Sequence, residues 1–151
     1  MLLERAVIED ASQILEIQKL AYQSEAILYN DSSLPPLTQT IDELRQQFTS
    51  SVFIKAVDNN QIIGSVRAYE KEGTCYIGRL IVHPDHQKQG IGTKLMHEIE
   101  KIFIKSTRFE LFTGSKSKKN IRFYEKRGYI MFKIDKINDK VNLMFMEKLN
   151  R

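Results

Sequence analysis

The sequence has no tryptophan, one cysteine, three prolines and seven glycines in 151 residues. A lone thiol, Cys75, excludes an internal disulfide and any multi-cysteine metal site. The scarcity of proline and the lack of a low-complexity tract argue against long disorder. No apolar run approaches the roughly 20 residues needed to cross a bilayer. Charge interrupts Met1-Leu2-Leu3-Glu4-Arg5 too early for the apolar stretch of a secretory leader. A reducing, cytoplasmic setting with no membrane partner is therefore expected. The charge imbalance is also slight: 23 basic against 19 acidic residues gives +4, with a pI near 9.1. That excess suits an anionic ligand. It lacks the clustered basic face or recognition motif that would point to nucleic acid.

What is present is an ordinary globular mix, 42% apolar and 28% charged, of a length that fits one domain spanning residues 1–151. Leu2–Ala6 reads as a strand. Asp10 is placed to cap a helix with the stripe Ala11, Ile14, Ile17 and Ala21. The stretch from Asn30 to Pro36 reads as a loop, and Thr40-Ile41-Asp42-Glu43 as a capping box opening a second helix. Three strands follow, Ser51–Val57, Ile62–Glu70 and Thr74–Val82, separated by Asp58-Asn59-Asn60-Gln61 and by Lys71-Glu72-Gly73, both of which read as hairpin turns. Ile91, Leu95, Ile99 and Phe103 then mark one face of a long helix. Phe109–Thr113 reads as a strand, Asn120–Arg127 as a helix ended by Gly128, and Tyr129–Ile134 with Val141–Leu149 as a last hairpin. The order β-α-α-β-β-β-α-β-α-β-β predicts an α/β (α+β) domain. Its seven-stranded sheet is mixed, mostly antiparallel and flanked by four helices, with one parallel crossover between Val82 and Phe109.

The most informative segment runs from Leu80 to Lys94. An apolar strand stops at Pro84, a polar turn follows, and a helix starts around Gly90 and Gly92. A helix start offers unpaired N–H groups and a partial positive charge, and glycines let a phosphate approach them. The P-loop pattern fails here because position 87 is Gln, and the dinucleotide fingerprint fails because position 95 is Leu. Gln87-x-x-Gly90-x-Gly92 does resemble the acetyl-CoA pyrophosphate signature of the GNAT superfamily of N-acetyltransferases. The block Tyr76–Gly92 resembles that family's strand–loop–helix core. Asn120-Ile121-Arg122-Phe123-Tyr124-Glu125-Lys126-Arg127-Gly128-Tyr129 resembles its second recurrent element, and the element order agrees over nearly the whole chain.

The resemblance implies a GNAT fold and acetyl-CoA as co-substrate, with no metal. The cofactor would lie in a V between the fourth and fifth strands. It implies that backbone groups of Leu80, Ile81 and Val82 pair with the pantetheine arm. The N–H groups of Gln87, Lys88, Gln89, Gly90, Ile91, Gly92 and Thr93 would hold the diphosphate. Asn120 matches a cofactor-contacting position, and Lys116, Lys118, Lys119 and Arg122 are candidates for the remaining phosphate. Tyr124 matches the usual general acid. A phenol of pKa near 10 can hand a proton to the departing CoA thiolate as an amine attacks the thioester directly.

The general base does not carry over. Many relatives have a carboxylate at the position of Tyr76, or histidines there and at Gly78, and this chain has neither. Deprotonating a Lys-like amine at pH 7 costs roughly 4.6 kcal/mol, an α-amine only about 1.4 kcal/mol. The second could proceed through water and backbone carbonyls, with Glu70 and Glu72 as candidate relays. The acceptor site is expected among Tyr22–Gln39, including Glu25, Tyr29 and Asp31, and the turn around Asn138. His83-x-x-His86 lacks a third ligand and reads as turn residues, and Cys75 as a buried strand thiol. The function implied is acetyl transfer to a primary amine of a small molecule or protein in a ternary complex, by a monomer or homodimer. The alternative is a non-catalytic acyl-CoA-binding module.

Overall fold

The computed structural model describes residues 1–151. Its seven strands are β1 (Leu2–Arg5), β2 (Val52–Asp58), β3 (Gln61–Lys71), β4 (Thr74–Val82), β5 (Arg108–Gly114), β6 (Ile130–Lys136) and β7 (Asn142–Leu149). They form one sheet in the order β1-β2-β3-β4-β5-β7-β6, antiparallel except where β4 meets β5. The helices are α1 (Ala11–Ala21), α2 (Gln23–Tyr29), α3 (Pro35–Thr38), α4 (Ile41–Gln47), α5 (Ile91–Ile102) and α6 (Lys118–Glu125). None is long and apolar enough to cross a membrane.

The strands form where expected, and the two central hairpins close as the sequence indicates. Asn59 (φ +50°), Asn60 (φ +62°), Glu72 (φ +52°) and Gly73 (φ +83°) are all left-handed, the geometry that matches strand twist across a two-residue turn. The Thr40 capping box is also present, with Glu43 N–H donating to Thr40 Oγ1 at 3.2 Å and Thr40 N–H to Glu43 Oε1 at 2.8 Å.

The region before β2 differs from the expectation of two helices and a loop. The first helix breaks at Tyr22, and the chain continues as α2. Pro35 and Pro36 start a single helical turn, because their fixed φ suits the first helical positions as well as a loop. Asp10 does not cap α1 with its side chain. Its carboxylate instead accepts from Val7 N–H and from Lys55 Nζ, both at 2.9 Å, tying the first turn to β2.

The sheet separates two cores. On one face α5 packs Ile91, Leu95, Met96 and Ile99 against Ile54, Val66, Cys75, Ile77 and Phe109. On the other, α1 and α4 pack Ile14, Ile17 and Leu44 against Phe53, Ile62 and Ile81. Ile62 to Ala68 of β3 are buried throughout, as a strand covered on both faces requires.

A bulge divides β4. Ser65 pairs with Ile81 but Arg67 with Gly78, so β4 carries one extra residue there. Arg79 occupies it at φ +50°. The bulge shifts the alternation by one. Before it the odd positions Cys75 and Ile77 face α5, and after it Leu80 and Val82 do, while Ile81 joins the α1 side.

Candidate active site

The parallel pairing of β4 and β5 is short. Thr74 pairs with Arg108, Cys75 with Phe109 and Tyr76 with Glu110, and beyond that rung the strands part. Leu80, Ile81 and Val82 therefore have no partner on β5. An opening with unpaired strand backbone on one wall accepts an extended polar chain as an added strand.

At the end of β4 the chain turns toward α5. Pro84–His86 forms one 3₁₀ turn, with Asp85 N–H donating to His83 Nδ1 at 3.1 Å. The rings of His83 and His86 meet edge to face at 5.7 Å, and no group of three or more metal-binding side chains gathers anywhere in the chain. Gln87 folds back so that its Nε2 donates to Val82 O at 3.3 Å. Lys88 (φ +66°) and Gly90 (φ +79°) are left-handed, and Gly90 precedes α5 with no side chain capping the helix. The first N–H groups of α5 are thus left without a side-chain partner, beside the exposed stretch Gln87–Gly90. A Cβ on Gly92 would touch the Phe123 ring at 3.4 Å, an ordinary contact. The missing side chain there keeps the helix start open more than it relieves crowding.

Helix α6 packs against the start of α5. Arg127 ties it to the start of α5, donating from Nη2 to Thr93 Oγ1 and from Nη1 to Phe123 O at 2.6 Å, with its guanidinium 3.6 Å from the Phe123 ring centroid. Tyr124 stands edge-on to Phe123 and Tyr129. Burial raises its pKa well above the usual phenol value, the negative potentials of Tyr22 and Glu25 act in the same sense, and Arg127 opposes them. The phenol therefore stays protonated through the neutral and mildly alkaline range, the state a proton donor needs.

Asn120 lies in the first turn of α6 and spends its amide inside the protein. Nδ2 donates to Glu25 Oε1 at 3.2 Å and to Thr113 Oγ1 at 3.4 Å. The same network accounts for Glu25 and Tyr29, which the sequence reading placed in the acceptor pocket. Tyr29 is buried, its hydroxyl bonds Ser117 Oγ at 2.8 Å and accepts from Lys116 N–H at 2.9 Å, and Ser117 Oγ donates to Glu25 Oε2 at 2.7 Å. These residues fasten α2 to the β5–α6 loop. Lys116 in the β5–α6 loop and Lys118, Lys119 and Arg122 on α6 are all exposed. Glu70 and Glu72 sit at the far end of the β3–β4 hairpin, where Glu70 accepts from Ser106 Oγ at 2.8 Å, away from the mouth of the V. They are not placed as relays.

On the α1 side of the sheet, a cleft of about 360 Å³ opens beside the last β4–β5 rung. Tyr76, Gly78, Arg79, Arg67, Glu110 and Phe112 are among its walls. Sequence reasoning missed Glu110. Its register opposite Tyr76 puts both side chains on one face of a parallel pair, but that register is visible only once the strands are aligned. Glu110 Oε1 accepts from Arg108 Nη1 at 2.8 Å, and Arg108 Nε also donates to Glu147 at 2.8 Å, so one guanidinium serves two carboxylates.

The acetyltransferase (GNAT) family matches residues 12–129. The chain belongs to this family. Solved structures agree in fold along the whole length. A Streptococcus mutans UA159 protein superposes with a TM-score of 0.86 at 15% identity, covering 100% of both chains. The PaiA N-acetyltransferase of Thermoplasma acidophilum, in complex with coenzyme A, gives 0.79 at 19% identity over 99% of each chain. The Salmonella typhimurium protein yncA, solved with its cofactor acetyl-CoA, gives 0.78 at 17% identity over 100% of this chain and 94% of that one.

Proposed function

We propose that the chain transfers the acetyl group of acetyl-CoA to a primary amine of a small molecule or protein, by direct attack in a ternary complex. The observation that carries this is the parting of β4 and β5 after Tyr76 and Glu110, with the bare start of α5 at the end of one strand and Tyr124 packed edge-on to Phe123, whose ring faces Gly92 at that helix start. Backbone groups of Leu80, Ile81 and Val82 receive the pantetheine arm. The N–H groups from Gln87 through Lys88, Gln89, Gly90, Ile91, Gly92 and Thr93 take the diphosphate, where the helix dipole favours its charge. The amine enters from the α1-side cleft. Glu110 takes its proton, standing in for the carboxylate that Tyr76 replaces on β4. The amine lone pair forms the new C–N bond, the C–S bond breaks, and Tyr124 protonates the departing thiolate. Asn120 acts through the Glu25 network, positioning α6 and with it Tyr124. The matching family and the CoA-bound and acetyl-CoA-bound structures of the same fold support acetyl-CoA as the co-substrate.

Tyr76 at the family's usual base position favours a second reading, an acyl-CoA-binding module without catalysis. A thiol-release assay with acetyl-CoA over a panel of amines separates the two. Amine-dependent release of CoA supports the enzyme. Tight CoA binding with no amine-dependent release establishes the module.

A further inference from the structure

Two arginines on the α1 side of the sheet have no acidic partner. Arg67, on β3, is only 6% exposed. Its Nη2 donates to Gln18 Oε1 at 2.9 Å and to Gln39 Oε1 at 3.3 Å, and its guanidinium lies 5.1 Å from the Phe53 ring centroid. The two glutamines are fixed in turn, since Gln18 Nε2 donates to Pro36 O and to Gln39 Oε1, both at 2.9 Å. A buried cation is thus held by neutral amides on one nitrogen, and no carboxylate pairs with it. Such a charge is costly unless something else neutralises it.

Arg79 stands next to it. Arg67 pairs with Gly78, so the bulge residue follows one position on. The bulge forces a non-glycine residue into the left-handed region, and strain of this kind is retained where the aim of a side chain matters. Arg79 Nε is buried and has no hydrogen-bond partner. The two guanidiniums are close enough to repel, and burial together with Arg79 pushes the Arg67 pKa down to about 9. Arg67 therefore remains a cation at neutral pH. Both arginines line the same cleft as Glu110, and a side chain on Gly78 would meet nothing within 4 Å, so the space between them is open.

Two unpaired cations and one carboxylate, itself held by Arg108, stand around one small cleft and match a molecule with the opposite charges. We infer that the acceptor is an amino acid, an amine that also carries a carboxylate, with the carboxylate bound by Arg67 and Arg79 and the amine turned toward Glu110. Tyr69, Tyr76, Phe112 and Phe145 complete the walls and suit an apolar or aromatic side chain. This inference rests on the acetyl-transfer reading for its chemistry, but the anion site can be tested without turnover.

The first measurement is calorimetric titration of the CoA-loaded protein with N-acetylphenylalanine and with N-acetylphenethylamine, the same molecule without its carboxylate. The carboxylate form is expected to bind at least about tenfold tighter, the worth of one good charge-assisted contact. In Arg79→Gln that preference collapses, while Arg79→Lys retains part of it. CoA binding serves as the check that each variant is folded, and Arg67→Lys provides an independent variant of the same site. Equal binding of the two compounds, or a preference that survives Arg79→Gln, overturns the anion site. The second measurement is thiol release with phenylalanine and leucine against their decarboxylated amines. Faster release with the amino acids supports the inference. Equal or faster release with the plain amines overturns it and leaves acetyl transfer standing. No release with any amine, alongside an intact carboxylate preference in binding, supports the anion site and removes the acetyl-transfer reading instead.

Discussion

Tyr76 on β4 and Glu110 on β5 stand opposite each other on the last rung before the two strands part. The aromatic occupies the strand on which relatives carry a base, and the carboxylate sits one strand over, on the same face. Glu110→Gln keeps the side-chain size and the acceptor oxygen facing Arg108 but removes the basic group. It is expected to lower kcat/KM for an amine by about 10²-fold, in line with general-base roles. CoA affinity should hold. Full activity in this variant removes Glu110 from the mechanism and leaves water or backbone to take the proton.

Tyr124 should behave as a proton donor that does not titrate in the working range. Tyr124→Phe is expected to lower kcat by about 10²-fold with little change in CoA binding. Because burial raises the Tyr124 pKa well above the ordinary phenol value, the donor form persists past the point where an exposed tyrosine would ionise. The wild-type rate should therefore show no alkaline fall up to about pH 10. Kinetics across pH 6–10 check both points, and a fall well below pH 10 with the folded state intact contradicts the assignment.

The join between α2 and the β5–α6 loop should be sensitive to a single methyl group. A Cβ on Gly114 would collide with the Tyr29 phenol, which is buried and held on Ser117 and Lys116. Gly114→Ala should destabilise the fold by about 1–3 kcal/mol, the usual cost of overpacking. In a Tyr29→Ala background the same substitution should cost much less, because the clashing ring is gone. Denaturant unfolding of the four proteins gives the coupling directly. Equal costs in both backgrounds show that the two residues do not meet.

Cys75 should be silent in the native protein. It is fully buried in the α5-side core, and burial, with help from Glu70 and Glu100, pushes its pKa up to about 12. The thiolate is the reactive form, so at pH 8 the folded chain should show almost no reaction with a thiol reagent, and one thiol per chain in denaturant. Rapid labelling of the folded protein contradicts this. Silence also means that thiol-release assays report CoA alone.

Local signals carried most of the fold. Alternating apolar positions, the hairpin turns within Asp58–Gln61 and Lys71–Gly73 and the Thr40 capping box each act within a few residues, and all appear in the structure. The turn from Pro84 to Gly90 was legible for the same reason, since its proline, its glycine and the helix that follows are contiguous. What escaped depended on distant partners. The bulge at Arg79 leaves only a slip in phase, odd apolar positions through Ile77 and even ones from Leu80, which a closer count of the alternation would have exposed. Glu110 looks like any polar residue on a half-buried strand until β5 is set against β4. Glu25 and Tyr29 suit a pocket by composition, yet their partners lie about 90 residues away in the β5–α6 loop. Arg67 reads as an ordinary polar break in a buried strand, and only the surrounding amides show that its charge is unpaired.

A crystal structure with CoA bound tests the central claim most directly. The diphosphate should lie on the N–H groups between Gln87 and Thr93, the pantetheine arm should run beside Leu80–Val82 in the gap between β4 and β5, and the sulfur should come within hydrogen-bond reach of the Tyr124 hydroxyl. A diphosphate bound elsewhere, or a sulfur remote from Tyr124 with the gap empty, contradicts the proposed mechanism.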